Sequence, residues 1–299
     1  MSVKKTDERA FRSEAFATTL LRWFDRYGRE LPWRNPADMT GSTTSPVPGD
    51  PYRIWVSEIM LQQTQVATVV PYFQRWMERF PTIPDLADSS ESEVLRYWEG
   101  LGYYRRARML HQASIRLTSE YGGKIPTDPR LLMKLPGIGR YTAGAILSIA
   151  LGIRLPILEA NTQRLYARLM AMTDDPTTTR SQRRLWDFAA QLLPSESGLS
   201  ESDPSGKRFP YGRLNQSLME LGSLLCVSRN PMCATCPVSR YCESRCRGSD
   251  LVSRIPAFRE RPAITSVHEA TILVYRPRLT SSPTRDGEFV NGGVCRGES

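Results

Sequence analysis

The chain has 299 residues, 40% of them hydrophobic, and its 40 lysines and arginines exceed its 31 acidic residues by nine. This length suits about two domains, and the net charge of +9 favours a polyanionic partner, nucleic acid before an anionic membrane surface. The longest mostly apolar stretch, 143–153, has eleven residues, far fewer than the roughly 20 that a membrane helix needs. The first ten residues, MSVKKTDERA, contain no apolar segment, so neither a secretory signal nor a membrane protein is expected.

Apolar residues recur at helical spacing along most of the chain, which predicts an all-α fold class. The first helix is expected over 10–27, ended by the LPWR segment at 31–34. A long helical segment is expected over 52–80, where Pro71 marks a break or the start of a second helix. Polar segments at 35–51 and 195–210 are expected to be loops. Further helices are expected at 91–98, 103–121, 129–135, 140–152, 162–172, 180–193 and 213–225.

Strand character is confined to the C-terminal part of the chain. Residues 266–275 (SVHEATILVY) predict one strand, and the sequence after it is polar and rich in glycine and serine. So few residues cannot build a separate core without staples or partners. We therefore expect a frayed or truncated β/coil tail.

Four of the six cysteines fall within seventeen positions, at the spacing C-x6-C-x2-C-x5-C. Because a cytosolic-looking chain keeps its thiols reduced, clustered cysteines are more typical of a metal site than of disulfides. Zinc commonly uses paired C-x2-C motifs or cysteine with histidine, and an iron–sulfur cluster on four thiolates fits at least as well. The expected metal ligands are Cys226, Cys233, Cys236 and Cys242, with Cys246 and Cys295 as spectators.

The segment LPGIGR (135–140) lies between two predicted helices. Gly137 and Gly139 permit a tight turn that lets backbone N–H groups approach an anion. The helix that follows Arg140 would add a favourable dipole for phosphate. Such a hairpin contacts the DNA backbone without reading sequence; the alternative is an ordinary helix–helix turn.

Two carboxylates stand out as candidates for acid catalysis. Glu58 has Ile54 and Leu61 as helical neighbours, so its carboxyl is expected to be partly desolvated, to have a raised pKa and to act as a general acid. Glu159 follows an apolar run and precedes a helix. Taken singly, each is more readily explained as a surface or capping acid. Together they favour glycosidic bond cleavage, which needs a proton donor and a negative charge near the oxocarbenium ion.

The segment YYRRAR (103–108) interleaves aromatic residues with three arginines. Stacking rings and cationic side chains suit an opened or single-stranded base. A solvated basic helix face with tyrosine packed inside explains the pattern equally well.

These segments together resemble the MutY family, the A/G-specific adenine DNA glycosylases of the helix-hairpin-helix superfamily. The resemblance covers roughly residues 10–245. The segments that carry it are LPWR (31–34), WVSEIMLQQTQVATVVPYFQRWMERFPT (55–82), GLGYYRRARML (100–110), LPGIGRYTAGAILSIALG (135–152), NQSLMELGSLLC (215–226) and the cysteine spacing.

The resemblance implies a two-lobed helical fold in which an N-terminal helix (8–34) packs on the cluster lobe. A helical barrel (52–152) would contain the helix-hairpin-helix (129–152), and residues 153–246 would complete the catalytic region and hold a [4Fe–4S] cluster. A linker (247–265) and a truncated, largely disordered Nudix-like remnant (266–299) would follow. The implied partner is double-stranded DNA with a mismatched adenine, bound by a cytoplasmic, nucleoid-associated monomer.

The resemblance also implies the roles of individual residues. Glu58 would protonate the adenine after base flipping, and the carboxylate of Glu159 would stabilise or trap the C1′ cation, with Tyr141 and Asn161 in support. The implied adenine pocket is formed by Arg29, Trp33, Arg34, Leu61 and Glu220. The implied DNA contacts are Gln63 and Tyr103 as wedges around the opposite purine, Leu101, and the hairpin residues Gly137, Gly139 and Arg140, with a monovalent cation as a further candidate ligand.

Tyr141 separates two branches of the superfamily. Relatives that resemble endonuclease III carry lysine at the matching position, form a Schiff base with the sugar and cut the strand. A phenol cannot form a Schiff base. Tyr141 therefore predicts a monofunctional glycosylase, and the resemblance implies that it removes adenine opposite 8-oxoguanine or guanine.

The chain departs from the family pattern in two places. Glu159-Ala160-Asn161-Thr162 stands where the family usually has Asp-Gly-Asn-Val, so the charge is kept but its position changes, and activity is expected to persist at a reduced rate. Only the first strand of a Nudix-like domain would be present, at 268–275. Discrimination between 8-oxoguanine:A and G:A pairs is therefore expected to be weak.

Three other functions are weighed against this interpretation. A mismatch-binding protein disabled at Glu159 would bind DNA with steep salt dependence and release no base. An endonuclease III-like lyase would act on damaged pyrimidines, and Tyr141 argues against it. A structural zinc protein would leave the segment around Glu58 unexplained.

Overall fold

A computed structural model of the chain describes residues 13–34, 50–195 and 211–257. Within these ranges the secondary structure is helical and no strand is present. The predicted all-α fold is confirmed for this part of the chain, whereas the strand expected at 266–275 lies outside it. The α-helices are α1 Ser13–Tyr27, α2 Pro51–Leu61, α3 Val66–Arg79, α4 Ile83–Ala87, α5 Glu91–Trp98, α6 Arg105–Tyr121, α7 Pro129–Leu132, α8 Arg140–Leu151, α9 Ala160–Leu169, α10 Thr179–Leu192, α11 Tyr211–Leu224, α12 Glu243–Arg247 and α13 Ser249–Arg254, and a 3₁₀ turn spans Ser239–Tyr241.

The chain divides into two units, Met1–Arg259 and Glu260–Ser299, and the described residues belong to the first. The described part of that unit has two hydrophobic cores. The first core is formed by α2–α8 around Trp55, Trp76 and Trp98. The second is formed by α1 and α9–α11, with Val238 and Ile255 packed against them. The unit therefore has two lobes, each of which buries its own apolar side chains.

The two lobes meet where α8 packs against α11. Gly212 on α11 lies so close to α8 that a Cβ atom there would be 2.5 Å from the carbonyl oxygen of Ser148. Asn215, one turn further along α11, donates hydrogen bonds to Ser148 Oγ (2.8 Å) and to the Leu155 carbonyl (2.9 Å). Only glycine permits this approach, so Gly212 allows α11 to pack closely on α8.

The break in the long helical segment 52–80 lies at residues 62–65, and the expectation that Pro71 marks it is wrong. Gln63 has a left-handed backbone conformation, with φ of +57°, which ends α2. Pro71 lies inside α3 on its exposed face. The helix continues through it because Val69, Phe73 and Trp76 are buried on the opposite face, and their burial outweighs one missing hydrogen bond.

Several short helices were not expected. The helix α4 begins with a capping box in which Thr82 and Asp85 satisfy each other's backbone N–H groups. Its five residues are too few to show a helical repeat of apolar side chains. The helix α13 falls within the segment 247–265 that the sequence suggests is a linker. None of the described helices combines the length and apolarity that a membrane crossing requires.

Candidate active site

A cleft of about 770 Å³ lies between the two lobes. This volume lies within the roughly 300–1,000 Å³ typical of small-molecule pockets. Gln63 lines the cleft, whereas the other candidate DNA contacts lie outside its lining. The structure brings into this one cleft the candidate catalytic residues Glu58, Tyr141, Glu159 and Asn161 and the candidate pocket residues Arg29, Trp33, Arg34, Leu61 and Glu220.

Glu58 is a buried carboxyl, with only 4% of its surface exposed. It lies on α2, which starts at Pro51 with Asp50 as its N-cap and buries nearly every side chain before Leu61. Burial raises the pKa of Glu58 to about 7, and the nearby charge of Glu159 adds to the rise, while the Tyr141 hydroxyl and Arg34 oppose it. Near neutral pH this carboxyl can therefore hold a proton and release it.

Tyr141 contacts Glu58 directly. It lies in the first turn of α8, which packs along α2, and its hydroxyl donates a 2.5 Å hydrogen bond to Glu58 Oε2. Burial, followed by the charge of Glu58, raises the pKa of Tyr141 well above its ordinary value, so the phenol stays protonated. Of the two residues expected to support Glu159, only Asn161 donates a hydrogen bond to it.

Glu159 is the N-cap of α9. Its Oε1 accepts a hydrogen bond from the Thr162 N–H and its Oε2 accepts one from the Asn161 N–H, both at 2.8 Å. The Thr162 hydroxyl accepts from the Glu159 N–H, which completes a capping box. Burial raises the pKa of Glu159, although the two backbone N–H groups and Arg164 act in the opposite direction. A capping role and a catalytic role for Glu159 are thus compatible, because the cap fixes the carboxylate at the cleft wall.

A chain of hydrogen bonds runs from Glu159 to the cysteine segment. Asn161 Nδ2 donates to Glu159 Oε2 (3.2 Å), and Arg164 Nη2 donates to Asn161 Oδ1 (2.9 Å). Arg164 Nε donates in turn to the carbonyl oxygen of Cys226 (2.7 Å). Sequence reasoning missed Arg164. Its position three residues after Asn161, on the same face of α9, was the available signal.

Glu220 anchors the far wall of the cleft through two arginines. Arg29 donates to Glu220 Oε1 from Nε (2.6 Å) and to Oε2 from Nη2 (3.1 Å), and Arg34 Nη2 donates to Oε2 (2.9 Å). Burial acts to raise the pKa of Glu220, but the hydrogen bonds and charges of the two arginines lower it below its ordinary value. Ser223 accepts from Arg29 Nη2 and is a further lining residue that sequence reasoning missed.

Apolar side chains complete the cleft wall. Trp33 is 5% exposed and meets the Phe73 ring edge to face at 5.4 Å. Leu61 is the last residue of α2 and is half-buried. A planar base could therefore lie between an aromatic ring, an aliphatic side chain and the polar groups described above.

The candidate wedge residues lie in two loops between helices. Gln63 and Tyr103 both have left-handed backbones, with φ of +57° and +48°, and the Tyr103 side chain is 63% exposed. Leu101 is different, because its side chain is buried in the first core at 6% exposure. Contact between the Leu101 side chain and DNA is therefore not expected from its position.

The hairpin lies where α7 leads into α8. Gly137 has φ of +76°, which L side chains rarely adopt, and Gly139 is the N-cap of α8 with no side-chain cap. The first N–H groups of α8 are therefore available to an anion. The guanidinium of Arg140 lies 3.8 Å from the centroid of the Trp186 ring, and its side chain is exposed.

The four candidate ligand cysteines are half-buried and line one small cavity, together with Leu165, Arg168 and Val252. Burial raises the pKa of Cys236 to about 12 and that of Cys242 to about 11. In the described ranges, no three His, Cys, Asp or Glu side chains lie close enough to hold a single metal ion. Four half-buried thiols around one cavity are a donor set of the kind that a zinc ion or an iron–sulfur cluster uses.

Arg168 joins several parts of the second lobe. It is 1% exposed and donates from Nη1 to Cys226 Sγ (3.4 Å) and to the Val227 carbonyl (2.7 Å). Its Nε donates to the Ile255 carbonyl (2.8 Å), and its own carbonyl accepts from Cys242 Sγ (3.4 Å). Sequence reasoning missed this residue because a single arginine on a helix is usually solvated.

Comparison with known proteins places the chain in a repair family. Residues 56–191 match the HhH-GPD superfamily of base excision DNA repair proteins. The adenine DNA glycosylase of Mus musculus is 42% identical over 77% of this chain and 42% of the relative. That of Mycolicibacterium smegmatis is 38% identical over 77% of this chain and 69% of the relative. The chain spans about two fifths of the length of the mammalian relatives it matches.

The fold is also that of solved DNA glycosylases. A structure described as a thermostable thymine-DNA glycosylase superposes with a TM-score of 0.62 at 24% identity, covering 77% of this chain and 95% of the other. At this identity the likeness concerns the fold alone. With the two-lobed helical fold, the cleft carboxylates and these sequence identities combined, the chain belongs to the adenine DNA glycosylase family, as the resemblance to MutY predicted.

Proposed function

We propose that this protein removes adenine mispaired with 8-oxoguanine or guanine from double-stranded DNA, by hydrolysing the N-glycosidic bond after the base has flipped into the cleft. The observation that carries the proposal is the hydrogen bond between Tyr141 and Glu58 in the cleft wall. It holds a protonatable carboxyl, with a pKa of about 7, where an extrahelical base would enter. The family relatives named above are adenine DNA glycosylases, which supports adenine as the base.

Glu58 is assigned the general acid. Its proton passes to a ring nitrogen of adenine, and the electron pair of the bond between the sugar C1′ and the base leaves with the base. Adenine therefore departs as a neutral molecule, and Glu58 is left ionised. Water then adds to C1′, and Glu58 takes up the proton that the water loses, which restores the starting state.

Glu159 is assigned the negative charge that the C1′ cation needs. The cap of α9 holds its carboxylate through two backbone N–H groups and Asn161. Because this site is largely shielded from water, a fixed charge stabilises a developing cation more strongly than it would in solvent. Its burial beside Glu58 has a second effect, since two nearby carboxyls resist simultaneous ionisation and keep the proton on Glu58.

The absence of an amine in the cleft supports a monofunctional glycosylase. A lyase needs a lysine that attacks C1′ and forms a Schiff base. The described residues that line the cleft include no lysine, and Tyr141 contacts Glu58 instead. The protein is therefore proposed to leave an abasic site in an intact strand, which breaks only when the DNA is treated with alkali.

DNA is proposed to lie across the cleft with a phosphate at the hairpin. Gly137 and Gly139 leave the N–H groups of α8 free for a phosphate oxygen, and a monovalent cation is a further candidate ligand there. Gln63 and Tyr103 are proposed to enter the base stack near the opposite purine. The 40 basic residues exceed the 31 acidic residues by nine, and this positive charge would favour binding of the DNA duplex. The protein is proposed to act as a monomer.

A [4Fe–4S] cluster is proposed on the thiolates of Cys226, Cys233, Cys236 and Cys242. The donor set fits, since the four thiols surround one cavity and Arg168 donates a hydrogen bond to one of them. When bound, the cluster would supply a redox-active centre and crosslink the segment after α11. Arg164 and Arg168 would position the cysteines for the cluster, because their hydrogen bonds hold that segment against α9.

A single-turnover assay tests the proposed function. Duplexes that carry one 8-oxoguanine:A, G:A or T:A pair are incubated with excess protein and then treated with hot alkali. Cleavage only at the mispaired adenine, and only after alkali, is the expected result. Tight mismatch binding without base release would instead indicate a disabled protein, and a covalent adduct trapped by borohydride would indicate a lyase.

A further inference from the structure

Two loops of the first lobe carry the candidate wedge residues. The first loop, residues 62–65, joins α2 to α3 and contains Gln63, and the second loop, residues 99–104, joins α5 to α6 and contains Tyr103. Both residues adopt left-handed backbone conformations that residues other than glycine rarely adopt. A conformation of this kind persists only where surrounding contacts hold it, so something must hold both loops.

Arg106 contacts both loops at once. It lies at the start of α6 and is half-buried. Its Nη1 donates to carbonyl oxygens at the end of α2 and in the first loop, namely Ile59 (2.9 Å), Met60 (3.0 Å) and Gln62 (2.5 Å). Its Nη2 donates to the first loop through Thr64 Oγ1 (3.2 Å) and to the second loop through the carbonyls of Leu101 (3.2 Å) and Gly102 (3.3 Å).

Two aromatic rings also contact the same guanidinium. Its central carbon lies 5.2 Å from the Trp98 ring centroid and 5.5 Å from that of Tyr103. Trp98 Nε1 also donates to the Gly102 carbonyl at 3.0 Å. The Tyr103 side chain, which is exposed at its outer edge, therefore rests on Arg106 at its inner face.

The chemistry of this site requires arginine. The last carbonyl groups of α2 have no partner within the helix, and a cation there also interacts favourably with the helix dipole. Only a planar guanidinium can donate to acceptors on two loops while it stacks on a ring. Lysine keeps the charge, but its three donors lie on one nitrogen and it has no planar group to stack on the rings.

We propose that Arg106 is a positioning residue that locks Gln63 and Tyr103 into one preformed wedge. The role of the wedge rests on the proposed function, whereas the link between the loops does not. With both loops held in advance, the ordering cost of inserting them into the base stack is met during folding and not during DNA binding. Loss of the link would therefore slow base opening without changing the groups that break the bond.

Hydrogen exchange of the DNA-free protein tests the link itself. Arg106→Lys is expected to speed amide exchange at least about tenfold in both 62–65 and 99–104. Arg116→Lys is the matched control, because Arg116 lies about 15 Å further along the same helix and pairs with exposed Glu120. Unchanged exchange, or faster exchange in one loop alone, would overturn the proposal. Arg106→Met repeats the test without a charge.

Activity tests the wedge. Arg106→Lys is expected to lower the single-turnover rate on a G:A duplex by about 100-fold, the cost of a small misplacement. The fluorescence of 2-aminopurine placed beside the mispair, which reports unstacking, is expected to rise more slowly. In the Gln63→Ala/Tyr103→Ala protein the same change is expected to cost nothing further, since Arg106 acts through those residues.

The outcomes separate the two hypotheses. If the unmodified protein releases no adenine, the proposed function fails and the exchange experiment still decides the link. If it releases adenine and Arg106→Lys matches it in rate and fluorescence, the positioning role fails. A full further loss in the Gln63→Ala/Tyr103→Ala protein would also contradict it.

Discussion

The hydroxyl of Tyr141 donates a hydrogen bond to Glu58 across 83 residues of sequence, from the first turn of α8 to the middle of α2. Burial raises the pKa of Glu58 to about 7, and this hydrogen bond opposes the rise because it favours the ionised form. The pKa of the proposed acid thus depends on two opposing effects, burial in the cleft wall, which raises it, and the hydrogen bond from Tyr141, which lowers it.

Tyr141→Phe tests that balance. Removal of a hydrogen bond that favours the carboxylate is expected to raise the pKa of Glu58 further. The single-turnover rate falls as pH rises through this pKa, since the acid must be protonated, so the alkaline limb of the pH–rate profile should move to higher pH. Tyr27→Phe is the control, because Tyr27 is exposed on α1. An alkaline limb at unchanged or lower pH would contradict the assignment.

Glu58→Gln separates catalysis from stability. Base release is expected to fall by about 1000-fold, within the range for loss of a general acid. The folded-state pKa of about 7 lies above the ordinary 4.5, so stability linked to this proton is present below about pH 4.5 and is lost as pH rises through 7.

Glutamine has no such proton, so Glu58→Gln is expected to have a free energy of unfolding about 3 kcal/mol higher than that of the unmodified protein at pH 8. The difference should shrink toward pH 5. Denaturant unfolding at the two pH values measures it. Glu78→Gln, which alters an exposed carboxyl on α3, should show no such pH dependence. If Glu58→Gln and the unmodified protein were equally stable at pH 8, burial of the ionised Glu58 carboxylate would not destabilise the fold, which would contradict the prediction.

Two substitutions at Glu159 test charge against position. Glu159→Asp keeps the negative charge and a residue type that caps helices well, so its single-turnover rate is expected to stay within about tenfold of the unmodified protein. Glu159→Gln keeps length and an acceptor oxygen but loses the charge, and a loss of about 100-fold is expected. Near-full activity of Glu159→Gln would rule out the electrostatic role.

Arg168→Met tests the support of the cysteine segment. The substitution keeps most of the apolar volume but leaves the buried carbonyl group of Ile255 and the half-buried one of Val227 without their donor. Each such loss costs about 1–3 kcal/mol. The variant is expected to retain less iron per chain and to lose its visible absorbance faster in air. Arg247→Met is the control, because Arg247 is exposed on α12, pairs with Glu243 and does not line the cavity, and it should retain iron normally. Equal iron retention would show that Arg168 does not support the cluster.

Local patterns carried most of what could be predicted about the fold. The helices α5, α6 and α8 follow from apolar spacing, and α6 and α8 also from glycine at their C-caps, Gly122 and Gly152. The position of the break in 52–80 did not follow, because a left-handed Gln63 has no sequence signature comparable to proline. Packing in the first core then carried α3 through Pro71.

The sequence by itself determined the chemical groups of this protein: two carboxylates, a glycine hairpin, four spaced thiols and a tyrosine in place of a lysine. Each is a matter of residue type and short spacing. Only the tertiary structure decided which groups meet. Tyr141 reaches Glu58 because α8 packs on α2, and Arg106 holds two loops because α6 starts between them. Such contacts depend on how helices far apart in sequence bury their apolar faces together, and no local spacing encodes that.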